Sequence, residues 1–128
     1  MKWLALGLAS ALAISACAST RTAETLEPPI GPTWTVSFVH DGDTIEVTRD
    51  TDTREVRLWG VNAPETGECM HLEAKRHLER AALGAEVRLR SYGDDQFGRL
   101  LAQVWLASSE TDVSRELVRL GLAIEIGR

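Results

Sequence analysis

The sequence predicts a mainly β domain, a five-stranded barrel with a helix between the third and fourth strands and a short helix near its C-terminal end. Three observations support this class. Several short runs alternate apolar and polar residues, as half-buried strands do. One longer segment carries its apolar residues at helical spacing, and turn-forming pairs separate the runs. This order matches the Greek-key barrel called the OB-fold, which often binds oligonucleotides, although a fold alone does not establish function.

The first three strands are predicted to form two consecutive hairpins. Alternating apolar residues place them at residues 34–38, 44–48 and 54–59. Asp41-Gly42 lies between the first two runs and strongly indicates a tight hairpin, whose turn residues need positive φ. Asp43 follows that turn, and a polar turn over residues 50–53 leads into the third strand.

The predicted long helix covers residues 68–85, with its charged residues on a solvated face. Its apolar face comprises Ala74, Leu78, Ala81, Ala82 and Ala85. Val87 and Leu89 begin the fourth strand, residues 92–99 form a loop, and residues 100–106 form the fifth strand.

A short helix is predicted after the fifth strand. Asp112 is suited to cap its first turn and Gly121 to end it. Val113, Leu117 and Leu120 are expected to face the core.

The N-terminal segment is predicted to direct export rather than to belong to the domain. Lys2 supplies a positive charge. Residues 3–18 then form an uncharged run of apolar and small residues, which is short for a membrane span of roughly 20 residues. This organisation is typical of a secretory signal peptide, assigned to residues 1–17.

The end of this segment has two interpretations. Ile14-Ser15-Ala16-Cys17 is similar to a bacterial lipobox, in which Cys17 becomes the lipidated first residue of the mature chain. Alternatively, Ala16-Cys17-Ala18 is a small-x-small cleavage site, and Cys17 is discarded with the signal. We favour the lipobox because the cysteine lies where the apolar run ends. The expected location is the cell envelope, or the exterior if the protein is secreted.

Residues 18–33 are predicted to be a flexible tether, since they contain three prolines among polar residues. Residues 34–128 are predicted to form the domain. Cys69 is its only cysteine, so no disulfide framework or zinc site is expected. The formal charge of −5, from 14 basic and 19 acidic residues, argues against a protein that holds nucleic acid by bulk electrostatics. It suits a hydrolase with transient contacts better.

Three stretches could supply one site for phosphate chemistry. Arg57 lies on a predicted strand and Glu65 on the following loop. Arginine matches phosphate oxygens with a planar fork of donors, and glutamate can accept a proton from water. Asp43 could bind a hard cation through oxygen, and Arg99 could bring a second arginine. Alone, each residue also has an ordinary structural interpretation, as a surface arginine, a loop glutamate, a turn aspartate or part of a hairpin loop.

Taken together, these stretches resemble the thermonuclease (staphylococcal nuclease-like) family. The matching segments are residues 41–44 (Asp-Gly-Asp-Thr), 57–66 (Arg-Leu-Trp-Gly-Val-Asn-Ala-Pro-Glu-Thr), 73–74 (Glu-Ala), 95–99 (Asp-Gln-Phe-Gly-Arg) and 117–123 (Leu-Val-Arg-Leu-Gly-Leu-Ala). Each is weak as a short pattern, but the ordered set is specific.

The resemblance implies a nuclease that uses Ca²⁺ and cleaves DNA and RNA with little sequence preference, leaving a 3′-phosphate and a 5′-hydroxyl. It implies that Glu65 activates or orients the attacking water. It also implies that Arg57 and Arg99 grip the phosphate and its transition state. We expect a monomer with nucleic acid as substrate and, through Cys17, a membrane anchor.

The resemblance further implies calcium ligands at Asp43, Asn62 and the backbone carbonyl of Ala63. Asn62 stands where the family usually has a second acidic ligand, so we expect weaker calcium binding. The family also usually continues beyond the final helix with aromatic residues near the nucleotide. Here the sequence ends at Arg128 and Tyr92 is the only tyrosine, so base stacking, normally worth ~1–3 kcal/mol per base, is expected to be reduced.

Two other functions fit parts of the sequence. One is a catalytically weakened OB-fold module that binds nucleic acid or a protein partner, which Asn62 and the acidic balance favour. The other is an envelope structural lipoprotein whose loops are merely polar. The ordered motif set argues against the structural lipoprotein.

Overall fold

The computed structural model of the protein describes residues 27–127, and it confirms the predicted barrel class. The proposed signal peptide, Cys17 and most of the proposed tether lie outside these residues. The strands are β1 (Trp34–Asp41), β2 (Thr44–Arg49), β3 (Asp52–Leu58), β4 (Val61–Asn62), β5 (Glu86–Asp94), β6 (Leu100–Leu106) and β7 (Ile124–Glu125), and the helices are α1 (His71–Ala82) and α2 (Val113–Arg119). Neither of these helices is long and apolar enough to cross a membrane.

The barrel is built from two units that meet at two seams. β1, β2 and β3 form an antiparallel meander, and β5 and β6 form an antiparallel hairpin. One seam is parallel and pairs β3 with β6, where Arg57 lies opposite Leu101. The other is antiparallel and pairs Trp34 of β1 with Val87 of β5. The closed strand order is therefore β1-β2-β3-β6-β5.

The core fills the barrel and extends beneath both helices. Its buried strand side chains are mainly β-branched, as the alternating runs predicted; they include Val36, Val39, Ile45, Val47, Val56, Val87 and Val104. α1 buries Ala74, Leu78 and Ala82 on one face. Residues after α1 bond to β1, since Gly84 N–H donates to the Val36 carbonyl at 2.8 Å. This contact places α1 across β1, with the start of the helix close to the β1–β2 hairpin.

A hairpin joins β1 to β2 as predicted, but its glycine is needed for a different reason. Neither Asp41 nor Gly42 has a positive φ, so the expectation of a positive-φ turn is wrong. A Cβ on Gly42 would lie 2.7 Å from Cβ of Ala74 and 2.8 Å from Cβ of Ala63. Gly42 is therefore required by the close approach of the hairpin to α1 and to the loop after β4.

Two element bounds and one side-chain orientation differ from the predictions given above. α1 begins at His71 rather than at residue 68, and β5 continues to Asp94, so the following loop is only residues 95–99. The predicted inward orientation of Leu120 is wrong, since this side chain is 41% exposed. Leu120 lies just after the end of α2, and Leu117 is the fully buried residue of the last helical turn.

Two features of the strands have no counterpart in the prediction. β4 and β7 are each two residues long and pair with one another outside the barrel. β1 contains register shifts between Val36 and Phe38 and between Val39 and Asp41. Phe38 is consequently 51% exposed, because a bulge interrupts the alternation of inner and outer side chains.

Candidate functional site

The register between β2 and β3 brings Asp43 next to Arg57. Thr44 pairs with Arg57, and Leu58 N–H donates to the Asp43 carbonyl at 2.9 Å. Arg57 Nη2 consequently lies 3.2 Å from Asp43 Oδ2. The same carboxylate oxygen accepts a hydrogen bond from Ala63 N–H at 2.8 Å. Asp43 is thus a buried carboxylate that holds the loop after β4 against the hairpin.

Arg57 also stabilises the turn between β3 and β4 through hydrogen bonds. Its Nη1 donates to the carbonyls of Leu58 and Val61, both at 2.8 Å. Its Nη2 donates to Asn62 Oδ1 at 3.1 Å. Gly60, with φ +76°, allows the chain to reverse here. The guanidinium therefore binds protein oxygens on several sides while it borders the cavity described below.

The two aspartates of the hairpin share one polar environment. Burial raises the pKa of Asp43, although the Ala63 N–H and the positive charge of Arg57 act in the opposite direction. Burial also acts to raise the pKa of Asp41, but hydrogen bonds from Asp43 and Thr44 outweigh it, so the pKa of Asp41 is lowered. Asp43 N–H donates to Asp41 Oδ1 at 3.0 Å. Two adjacent carboxylates beside one arginine favour a further positive charge at this position.

Glu65 lies on an exposed turn beside this pair. Its backbone N–H donates to Glu68 Oε2 at 3.1 Å, and Glu68 N–H donates to the Glu65 carbonyl at 2.9 Å. The turn therefore fixes the backbone of Glu65 and leaves its carboxylate exposed. Glu65 borders a cavity of about 440 Å³ with a mostly polar lining, which is called the polar cavity below. It is lined by Asp41, Asp43, Arg57, Asn62, Ala63, Pro64, Glu65, Thr66 and Arg99.

Arg99 reaches the polar cavity from the loop between β5 and β6. Asp95 N–H donates to the Arg99 carbonyl at 2.9 Å, and Gly98 N–H donates to the Asp95 carbonyl at 3.1 Å. Gly98 has φ +77°, which is the conformation expected of the last residue in a three-residue hairpin loop. This tight loop places Arg99 immediately before β6, the strand that pairs with β3 and therefore with Arg57.

A second, more apolar cavity of about 440 Å³ adjoins the two arginines. It is lined by Arg57, Leu58, Trp59, Gly60, Asp95, Gln96, Phe97, Arg99, Leu101, Ile126 and Gly127. Phe97 is 72% exposed. Trp59 stacks on Tyr92 with ring centroids 4.6 Å apart and an interplanar angle of 16°. Arg57 and Arg99 therefore stand between a polar cavity and an apolar one.

The oxygen atoms of the polar cavity fit a hard cation in chemical type. Asp41 and Asp43 offer carboxylates, while Asn62 and Ala63 offer neutral carbonyl oxygens, all of which calcium accepts. Within residues 27–127 no cluster of three or more His, Cys, Asp or Glu side chains is arranged to hold a metal ion. A cation here would thus depend on neutral oxygens as well as on the two carboxylates.

The structure brings together every residue that the sequence predicted for the site. Asp43, Arg57, Asn62, Ala63, Glu65 and Arg99 all line the polar cavity. Sequence reasoning assigned no role to Asp95, which binds Arg99, and treated Asp41 only as a turn residue. A usable signal existed for Asp95, because an aspartate three residues before a glycine often begins a turn by accepting local N–H bonds.

Comparison with known proteins identifies one family and several relatives. The family model for staphylococcal nuclease homologues matches residues 55–127. The chain is 34% identical over 103 residues to a thermonuclease of Staphylococcus intermedius, covering 73% of this chain and 59% of that protein. It is 34% identical over 101 residues to a thermonuclease of Staphylococcus hyicus, covering 71% and 57%.

A third relative is a micrococcal nuclease of Shigella flexneri. It is 35% identical over 65 residues, which cover 51% of this chain and 37% of that protein. The chain therefore spans less than two thirds of the length of the curated relatives described here.

Proposed function

The chain belongs to the family of staphylococcal nuclease homologues, and from that premise we propose that it hydrolyses phosphodiester bonds in DNA and RNA. One observation carries the proposal. Arg57 and Arg99 border the same polar cavity as the exposed Glu65, the half-buried Asp41 and the buried Asp43. The arginines that can donate to a phosphate and the glutamate that can take a proton from water therefore line the same cavity.

The two arginines provide the electrostatic part of the mechanism. Negative charge accumulates on the phosphate oxygens as water attacks phosphorus, and fixed donors aimed at those oxygens stabilise that charge. Arg99 Nε donates its hydrogen bond to Asp95 Oδ2. No hydrogen-bond partner of the Arg99 Nη atoms is found among residues 27–127, so these groups can donate to a phosphate. Arg57 contributes positive charge while it holds the β3–β4 turn.

Glu65 provides the base. In the proposed step the water oxygen forms a bond to phosphorus, and Glu65 accepts the proton that the water loses. The P–O5′ bond breaks, and the departing 5′-oxygen takes up a proton to become a hydroxyl. The other product carries a 3′-phosphate. This choice of bond follows the family resemblance, and exposure of the Glu65 carboxylate supports its access to water.

We propose that calcium assists this reaction at the Asp41–Asp43 pair, with Asn62 and the Ala63 carbonyl as neutral donors. When bound, calcium supplies positive charge beside the phosphate. Support comes from the all-oxygen donor set of the polar cavity and from the position of the Asp41 carboxylate, which lies close enough to Asp43 to accept its backbone N–H at 3.0 Å. The neutral Asn62 predicts a lower affinity than an aspartate would give.

The apolar cavity suggests how the substrate is held. Its position beside both arginines lets a base or sugar contact Trp59 or Phe97 while the adjoining phosphate reaches the polar cavity. Stacking of bases on aromatic rings tolerates many sequences. We therefore propose single-stranded DNA or RNA, bound by a monomer, as the preferred substrate form. Export, with a lipid anchor at Cys17, remains part of the proposal for the segment outside the described residues.

Cleavage of single-stranded DNA by the purified chain tests the proposal. We expect cutting with calcium, loss of cutting with a chelator, and a decrease on the order of 10²–10⁴-fold in Glu65→Gln. Glu68→Gln is the matched control, because its amide oxygen can still accept the hydrogen bond from Glu65 N–H. Undiminished metal-dependent cleavage by Glu65→Gln would contradict the role of Glu65.

A second candidate is a module that binds nucleic acid without cleaving it. The contacts of Arg57 to protein oxygens and the neutral Asn62 favour this candidate. It predicts that a folded protein binds single-stranded DNA but does not cut it over a wide range of calcium concentration. The cleavage assay separates the two functions, and calorimetry with the uncut oligonucleotide then shows whether a protein that does not cut still binds.

A further inference from the structure

We propose that Asp95 is a positioning residue that holds the guanidinium of Arg99 at the mouth of the polar cavity. This inference rests on the proposed nuclease function, and it assigns the acidic residue of the β5–β6 loop a role in catalysis through Arg99. Asp95 itself does not line the polar cavity.

The two carboxylate oxygens of Asp95 have different partners. Oδ1 accepts hydrogen bonds from the N–H groups of Phe97 and Arg99, both at 2.9 Å. Oδ2 accepts from Arg99 Nε at 2.7 Å. The first oxygen therefore shapes the loop, while the second binds only the guanidinium. A residue needed for the loop alone would require only the first oxygen.

The contact to Nε restricts Arg99 without occupying its terminal nitrogens. An ion pair with Nε fixes the direction of the planar group, since the guanidinium cannot rotate out of plane without breaking the 2.7 Å bond. The pair is largely shielded, with Asp95 14% and Arg99 27% exposed. The Arg99 Cζ also lies 5.4 Å from the Phe97 ring centroid. The two contacts together hold the Nη groups of Arg99 in one orientation.

The charge of Asp95 persists at neutral pH. Desolvation acts to raise its pKa, but hydrogen bonds from the backbone and side chain of Arg99 and from Phe97 N–H outweigh this effect, so the pKa is lowered. The carboxylate therefore remains ionised and opposite the guanidinium wherever the enzyme is assayed near neutrality.

Asp95→Asn separates the two roles. The amide oxygen can keep the two backbone N–H bonds, which preserves the loop, while the amide NH₂ faces Nε and cannot accept its proton. Asp94→Asn is the matched control. Asp94 is the neighbouring aspartate, and it pairs with Arg54 Nη2 at 2.8 Å on the exposed surface.

Steady-state cleavage of single-stranded DNA is the first measurement. We expect Asp95→Asn to lower kcat by about 10- to 100-fold, because small misplacement of a catalytic group has effects of this size. Asp94→Asn should stay within about twofold of the unmodified protein, as exposed ion pairs contribute little. In an Arg99→Ala background, Asp95→Asn should cause no further loss, since residues acting as one unit are not additive.

Exchange of the arginine Hε protons with solvent gives a readout that is independent of activity. In the unmodified protein, Arg99 Hε should exchange more slowly than Arg54 Hε, because Arg54 pairs through Nη2 rather than Nε. Equal exchange of the two protons would overturn the inference even if Asp95→Asn did not fold. So would full activity in Asp95→Asn, or an equal loss with and without Arg99. Absence of cleavage by the unmodified protein would instead reject the proposed function, and the exchange measurement would still decide the contact.

Discussion

The buried carboxylate of Asp43 accepts a 2.8 Å hydrogen bond from the N–H of Ala63, twenty positions later in the chain. The same oxygen lies 3.2 Å from Arg57 Nη2. One carboxylate therefore connects the β1–β2 hairpin, the third strand and the loop that carries Glu65. Residues of this site consequently divide into those that hold its geometry and those that act on a substrate.

Replacing Arg57 should reduce stability as well as activity. Arg57→Ala leaves the carbonyls of Leu58 and Val61 without their charged donor, which we expect to lower the free energy of unfolding by roughly 1.5–3 kcal/mol. Urea denaturation measures this change. Arg54→Ala on the same strand is the control, since its exposed pair with Asp94 should contribute no more than ~1 kcal/mol. Equal effects of the two substitutions would show that Arg57 does not stabilise the β3–β4 turn.

Introducing a negative charge at residue 62 should strengthen cation binding. Asn62→Asp adds a third carboxylate beside Asp41 and Asp43 in the polar cavity. We expect calcium affinity to rise about tenfold or more, since attraction at short range near a protein surface exceeds 1.4 kcal/mol. Isothermal titration calorimetry measures the affinity, and Asn62→Ala is the control that removes the amide oxygen. An affinity that is the same in all three proteins would place the cation elsewhere.

Adding one methyl group at residue 42 should disrupt the junction between hairpin and helix. Gly42→Ala places a Cβ 2.7 Å from Cβ of Ala74 and 2.8 Å from Cβ of Ala63. We expect a loss of about 1–3 kcal/mol in the free energy of unfolding, the usual cost of overpacking. Gly127→Ala, where a Cβ meets nothing within 4 Å, should be nearly neutral. Equal stability of the two variants in a thermal melt would refute the steric role of Gly42.

Acid should remove the contribution of Asp95 to stability. Its folded-state pKa lies below the ordinary value of 3.8 because hydrogen bonds from Arg99 and Phe97 outweigh desolvation. The stabilisation is therefore fully present above about 3.8 and is lost as pH falls through the lowered folded-state value. The difference in Tm between the unmodified protein and Asp95→Asn should shrink over that acidic range. A difference that stays constant with pH would rule out an ionic origin.

The barrel and most of the site could be predicted because their signals are local. Alternating residues such as Ile45 and Val47 indicate a strand wherever they stand, and both are fully buried. Asp112 accepts N–H bonds from Ser114 and Arg115, as a helix cap is expected to do. The candidate residues of the site followed from an ordered set of motifs, and all of them line one cavity.

What could not be predicted depends on contacts between distant segments. The role of Gly42 comes from its distance to Ala63 and Ala74, which no local pattern contains. The exposure of Phe38 comes from a bulge in the pairing of β1 with β2. The β4–β7 pair joins Asn62 to Ile124, and two-residue strands carry too little alternation to be recognised.

The parallel seam between β3 and β6 also has a consequence for how the protein folds. Arg57 belongs to the N-terminal meander and Arg99 to the C-terminal hairpin, and the seam is the pairing that makes them neighbours. Local hairpins close quickly, whereas pairing of segments this far apart requires closure of a long loop and is slower. A chain with both units formed but the barrel still open would hold two half-sites, each with a single arginine. Recovery of activity after dilution from denaturant would then report barrel closure, whereas recovery of helical signal would not.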